Sequence, residues 1–296
     1  MNAGRLAMRF CLALGLVSVA FAASAGSVSE LRKQAEASML LTGSVEVTQE
    51  GTLRRFELDH PEKIDLAVRD FVERNIKSWS FEVGSLPTGV PANATILNNM
   101  SILVVAKPIE GDTFSLRIAA SYFSAKEPEP DTEVRYRSVK PPEYPFSAVR
   151  AGVSGKVFLL VRIDRNGNVE EAMAEQVNLQ AVADNEKEME RWRNVLAQAS
   201  LKAVKRWKFT IPTRGEQALS DAFIARVPIS FNLRRKKEAE YGQWTPYIPG
   251  PRHSNPWENA DDNPGFAPDA LAANGGVYSN NGLRLKSPML GMADGS

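Results

Sequence analysis

Apolar and polar positions alternate with a period of two in some stretches of this chain. In others they recur at three- and four-residue steps, so strands and amphipathic helices are both predicted. From Arg226 to Leu233, Val227, Ile229, Phe231 and Leu233 alternate with Arg226, Pro228, Ser230 and Asn232. Proline has no N–H to give to a ladder, so this strand is predicted to lie at a sheet edge. An edge leaves backbone groups unpaired and suits an extended peptide. A second strand is predicted from Lys156 to Ile163, turning back at Asn166-Gly167, a pair typical of tight hairpins. Between these strands, Met189, Trp192, Leu196, Ala199, Ala203 and Trp207 fall on one stripe of a helix running from about Asn185 to Trp207. Glu186, Glu188 and Glu190 crowd its start, and Lys202, Lys205 and Arg206 its end, the distribution a helix dipole favours. It closes in Trp207-Lys208-Phe209.

The first half repeats this order in worn form. Gly43-Ser44-Val45 parallels Gly155-Lys156-Val157, and Gly51-Thr52-Leu53 parallels Gly167-Asn168-Val169. Ile64, Val68, Phe71, Asn75 and Trp79 share a helical stripe, with Pro61 in the first turn and Trp79-Ser80-Phe81 at the end. Two alternating runs follow, Ser101 to Lys107 and Thr113 to Tyr122, joined at Glu110-Gly111-Asp112. They predict a hairpin with Phe114, Leu116, Ile118, Ala120 and Tyr122 on one face. Ala125 to Pro142 is rich in proline and charge and reads as an extended linker. After the basic run Arg234-Arg235-Lys236-Lys237, proline, glycine, asparagine and aspartate dominate and no period survives. That composition predicts a largely disordered tail, although Trp244, Tyr247, Trp257, Phe266 and Tyr278 are candidates for docking.

Tyr144-Pro145 with Ala148, then Gly155, Val157 and Val161, Gly167 and Val169, Ala203, Trp207 and Phe209, and last Val227, Pro228 and Phe231 stand in a characteristic order. It resembles the C-terminal domain of the TonB family, the periplasmic end of energy transducers that serve outer-membrane receptors. Two departures stand out. Val177-Asn178-Leu179-Gln180 and a charged insertion replace the small Ser-Ser-Gly segment usual there, and Pro212 arrives one residue late. The resemblance implies an α+β fold of two small domains, each an antiparallel sheet with a long helix on one face, the first copy degenerate. The expected division is a signal peptide over 1–25, a degenerate domain over 40–124, a linker over 125–142, a second domain over 143–235 and a disordered tail over 236–296. In the family the last strand pairs with a short extended receptor motif. Carried over, that role falls on Arg226, Val227, Pro228, Ile229, Ser230, Phe231, Asn232 and Leu233, while Tyr144, Pro145, Gly155, Gly167, Trp207 and Phe209 carry the family motif. Pro228 reads equally well as a guard that blunts an exposed edge.

The N-terminus reads as an export signal, with Arg5 and Arg9, an apolar run from Phe10 to Ala22, and Ala23-Ser24-Ala25 before Gly26. The run is short of the roughly 20 residues of a membrane span. The expected location is therefore the periplasm, and a retained inner-membrane anchor is the alternative. Cys11 is the single cysteine and lies inside this run, so cleavage leaves a chain without disulfides. A net charge of +1 gives no footprint for nucleic acid.

Candidate chemistry is sparse. His60 and His253 are the only histidines, which excludes a zinc cluster and disfavours a serine triad. Asp164 to Asn168, with Glu175 at the twelfth position, has Val169 where a calcium loop needs glycine. No metal or cofactor is expected. An enzyme would have to rely on Glu170, Glu171 and Glu175, with Glu171 and Glu175 on one strand face but little apolar surrounding to raise a pKa. The leading expectation is thus a non-enzymatic periplasmic module that pairs a protein partner's peptide with its last strand. An anchored energy transducer is the alternative, and a carboxylate enzyme a distant third.

Overall fold

The computed structural model describes residues 28–84, 91, 93–109, 114–126, 131–233, 239–257, 268, 271, 283–287 and 289. The expected signal peptide lies outside the described residues. A short helix α1, described over residues 28–33, leads into strand β1 (Glu36–Val47). Hairpin partner β2 (Leu53–Leu58), helix α2 (Leu66–Ile76) and the short strand β3 (Phe81–Glu82) follow. Long strands β4 (Ile96–Pro108) and β5 (Phe114–Ala125) complete the first half. The second half holds β6 (Arg135–Ser138), the single turn α3 (Phe146–Arg150), β7 (Gly155–Asp164) and β8 (Val169–Leu179). Helix α4 (Glu186–Val204), β9 (Lys208–Thr210) and β10 (Ala222–Phe231) close it. The tail adds β11 (Thr245–Tyr247) and β12 (Arg284–Leu285).

The molecule is α+β, with antiparallel sheets and two main buried clusters. In the first sheet β1 is flanked by β4 on one side and by β2 and β11 on the other, and β5 continues beyond β4. Met39, Leu41, Val45, Met100, Ile102 and Val104 bury one face with Val68, Val72 and Ile76 of α2. In the second sheet the order is β10-β7-β8. Val157, Leu159, Val161 and Ile163 of β7 meet Met189, Trp192 and Leu196 of α4. Apolar burial of this kind supplies most of the drive to fold.

Local chemistry explains the ends of these elements. Asn185 caps α4, its side chain accepting from the Glu188 N–H at 3.0 Å, and Asp65 caps α2 through the Ala67 N–H at 2.9 Å. Helix α2 therefore starts later than its stripe suggests. Pro61 belongs to a separate 3₁₀ turn, Pro61–Lys63, entered through His60 in the left-handed region at φ 46°. The turns of the two hairpins share geometry. Gly51 and Gly167 both have positive φ, at 84° and 78°. The Phe81 N–H donates to the Gly51 carbonyl at 2.8 Å, and the Phe209 N–H to the Gly167 carbonyl at 2.8 Å. A Cβ at either glycine would overlap the carbonyl oxygen of the same phenylalanine, so each Trp-x-Phe strand is laid directly over a hairpin turn.

Several expectations need correction. The last strand ends at Phe231, leaving Asn232 and Leu233 beyond it. A bulge between Leu103 and Val104 shifts the β4–β5 register, so Ile118 and Phe123 enter the helix-side cluster while Ala120 joins Leu103 and Val105 elsewhere. The single face expected from Phe114 to Tyr122 is thereby split. The linker's second part is structural: β6 pairs with β9, and Val134 and Tyr136 pack on the second cluster. Leu31 of α1 also reaches that cluster.

The tail differs most. Residues 239–257 form a strap in which β11 pairs with Glu36–Ser38 of β1 and Ile248 exchanges backbone hydrogen bonds with Leu179 of β8, at 2.8 and 3.1 Å. Further on, β12 pairs with β3, and Leu283, Leu285 and Met289 join the first cluster. These segments show no period because each is held mainly by backbone pairing and single anchoring side chains, which composition cannot reveal.

Candidate strand-binding edge

Among the described residues β10 pairs only with β7, through an unbroken register from Ala222↔Asp164 to Phe231↔Gly155. Pro228 stands opposite Phe158 without a register shift. A proline in an edge strand is tolerated when its nitrogen faces the open side, which places the missing donor on the edge away from β7. Val227, Ile229 and Phe231 are buried against α4, as alternation requires. Leu233 is half-buried beyond the strand.

The opposite face of β10 is less open than its sequence suggests. Pro228 is buried, and the Ser230 hydroxyl is buried with no hydrogen-bond partner among the described residues. Arg226, expected to point outward, is 6% exposed. Its Nε donates to Glu175 Oε2 at 3.2 Å, and Arg252 of the strap donates to Glu175 Oε1 at 3.1 Å. Glu175 itself is 1% exposed and occupies a bulge in β8, where Gln176 pairs with Phe158 and Ala174 with Leu159. A buried carboxylate tolerates such a site only when fully paired, and here two guanidinium groups supply the pairing. Glu175, an acid–base candidate by sequence, is instead a buried ion-pair centre, and its second partner, Arg252, comes from the tail. The side of β10 that no described strand pairs is its backbone edge from Ala222 to Phe231.

The motif residues hold this edge in place. Tyr144 donates from its hydroxyl to the Val153 carbonyl at 2.6 Å, and its ring meets Phe231 edge-on at 5.3 Å. Burial pushes the Tyr144 phenol pKa up. Pro145 caps α3 in an extended conformation. Gly155 lies so close to the Asn178 carbonyl that a Cβ would collide with it. The Trp207 indole donates to the Lys140 carbonyl at 2.8 Å, and Phe209 is 1% exposed. All six therefore frame the sheet.

The remaining candidates have structural roles. Asp164 accepts from the Asn166 and Asn168 N–H groups at 2.8 and 2.7 Å and from the Asn168 amide at 2.9 Å. The bonds from Asn168 chiefly hold its carboxyl below the usual aspartate range, as expected for an Asx turn. Glu170 and Glu171 both bridge to Arg162, at 3.3 Å each, and are exposed. Glu171, opposite Arg162, and Glu175, bonded to Arg226 opposite Leu160, share the face away from α4, but Glu175 is buried and held by two guanidinium groups. The His60 ring packs on Tyr241 at 5.6 Å, and the His253 N–H donates to the Glu175 carbonyl at 2.8 Å. No cluster of three or more metal-ligating side chains occurs among the described residues, and no described helix is long and apolar enough to cross a membrane.

An α+β arrangement with an antiparallel sheet, one covering helix and a last strand paired on one side only among the described residues is the class defined here. Over 102 residues the chain is 33% identical to the protein named Protein TonB of Xanthomonas campestris pv. campestris, covering 34% of this chain and 39% of that relative. Over 104 residues it is 34% identical to Protein tonB2 of Pseudomonas aeruginosa, covering 35% of this chain and 33% of that relative. The chain is thus related to TonB-named proteins over about a third of its length, and the matched region spans well under half of each relative. No protein-family model and no solved structure matches.

Proposed function

We propose that this chain is a non-enzymatic envelope protein that binds an extended peptide of a protein partner along the open edge of β10, in the setting of TonB-dependent transport. The observation that carries this reading is the one-sided pairing of β10 among the described residues, in a sheet framed by the TonB-like motif. The name of the relatives supports an outer-membrane receptor as the partner. On this reading the two halves are copies of one TonB-C-like unit, supported by their matching hairpin turns and Trp-x-Phe strands. The first copy does not offer the equivalent edge, because β5 already pairs along β4.

Adding a receptor-derived extended peptide to the ¹⁵N-labelled chain should shift the backbone amides of Ala222 to Phe231. Shifts confined to other strands, or none, overturn the reading. The second reading, an anchored energy transducer, depends on the apolar run Phe10 to Ala22 being retained. Intact mass and N-terminal sequencing of the protein from its native envelope separate the two. A start at Gly26 leaves the periplasmic binding module, and a start at Met1 in the inner membrane supports the transducer.

A further inference from the structure

We propose that the surface formed by α3, the loop after β8 and the first turns of α4 is a contact site for a second copy of this chain, in which each copy seats Phe146 in a pocket of the other. The pocket has a volume of about 250 Å³, and its lining includes Ala151, Val153, Leu179, Val182, Met189 and Trp192. Sites for free small molecules measure roughly 300–1,000 Å³, so this one suits a single large side chain. The segment that departs from the TonB-like pattern, Val177 to Gln180 and the insertion after it, supplies Leu179, Val182 and Asp184 to the walls. That loop is pinned at its base, where the Gln180 N–H donates to the Ser154 carbonyl at 2.8 Å. Near its end the Ala183 N–H donates to Met189 Sδ at 3.3 Å, a weak acceptor.

The side chain to fill such a pocket lies on the same surface. Ala151, on the pocket wall, caps α3, and that helix carries Phe146 73% and Val149 42% exposed. Val182 on the loop is 45% exposed. Burying such side chains is favourable, and a group of them marks a contact surface.

Charge decides the occupant. Arg150 is exposed and lies over the Phe146 ring at 5.8 Å, so a cation accompanies the apolar knob. Exposed Asp184 stands on the pocket wall. Glu188, also on that wall, is bridged at 3.1 Å by Arg191, whose guanidinium lies over Trp192 at 5.0 Å. One surface therefore carries an apolar knob beside a positive charge and an apolar pocket beside a negative one. A patch that holds both halves of a contact is complementary to itself, and a two-fold axis satisfies both at once. Phe146 of each copy enters the pocket of the other, and Arg150 meets the partner's Asp184. A contact centred on one knob per copy belongs to the small class, below roughly 1,200 Å² of buried surface, whose associations are weak.

The test is sedimentation velocity of the chain over a concentration series, with three variants at exposed positions. The parent chain should self-associate as concentration rises. Phe146→Ser should weaken that association roughly tenfold, the loss expected of a central anchor. Arg150→Glu and Asp184→Arg should each abolish it, because like charges then face one another at both contacts of the dimer. Mixed in equal amounts, these two variants should associate again, since in the mixed dimer both contacts join opposite charges. A parent chain that stays monomeric throughout overturns the proposal. Association that survives the three substitutions, or that the mixture does not restore, overturns the assignment to this surface.

Discussion

At the scale of single residues, two glycines with similar backbones make different demands. Gly167 has φ 78° and Gly152 φ 69°. A Cβ at Gly167 would overlap the Phe209 carbonyl, whereas one at Gly152 meets nothing within 4 Å. Gly152→Ala should then cost only the left-handed penalty, about 1 kcal/mol. Gly167→Ala adds a backbone collision that can be relieved only by moving β9, and should cost roughly 3 kcal/mol. Urea unfolding of the two variants checks the difference, and equal losses would show that β9 moves freely. The Asn166-Gly167 pair made this turn legible in sequence, because only the backbone of the turn decides it. Glu175 was not legible. Its partners, Arg226 and Arg252, sit 51 and 77 residues away, and no local pattern announces a buried carboxylate whose charge is balanced from the tail.

At the scale of elements, period and capping were the legible part. The stripe of α4 places Met189, Trp192 and Leu196 in the core, with Asn185 as cap. The alternation of β10 places Val227, Ile229 and Phe231 there too. Bulges were not legible, since one extra residue leaves the composition unchanged while reversing which face each later side chain takes. That is how β5 divides its apolar residues between two clusters. The edge character of β10 followed from Pro228 alone, so Pro228 is the residue through which to test it. Pro228→Val restores one donor on the side away from β7. Because an unguarded edge pairs with whatever strand it meets, this variant should bind the receptor-derived extended peptide more tightly, by severalfold for one added hydrogen bond of about 1 kcal/mol. It should also self-associate at concentrations where the parent chain stays monomeric. Peptide titration and sedimentation velocity read these two effects, and neither should change if proline's nitrogen faces β7.

At the scale of the whole molecule, the tail binds the two halves into one object. Ile248 lies in the second cluster, and Leu283, Leu285 and Met289 in the first. Tyr241 accepts from the Thr42 N–H at 3.2 Å and donates to the Thr42 carbonyl at 3.1 Å. Strand β12 gives β3 the pairing that β6 gives β9, so the first half completes its Trp-x-Phe strand with residues some 200 positions away, whereas the second uses the segment just before it. The two halves should therefore respond unequally to loss of the tail. Deleting residues 239–296 removes three buried apolar side chains from the first cluster, and from the second half Ile248 and Arg252, which leaves buried Glu175 to Arg226. Each apolar side chain is worth about 1.5–3 kcal/mol on burial, less the entropy of ordering the segment. Against a total stability of roughly 5–15 kcal/mol, the first half should lose cooperative folding while the second survives. Hydrogen exchange should then show protection gone from Met39, Leu41 and Val45 in β1 and retained at Val157, Leu159 and Val161 in β7. Equal loss in both halves would mean instead that the strap is the common support of the two sheets, and that neither half folds without it.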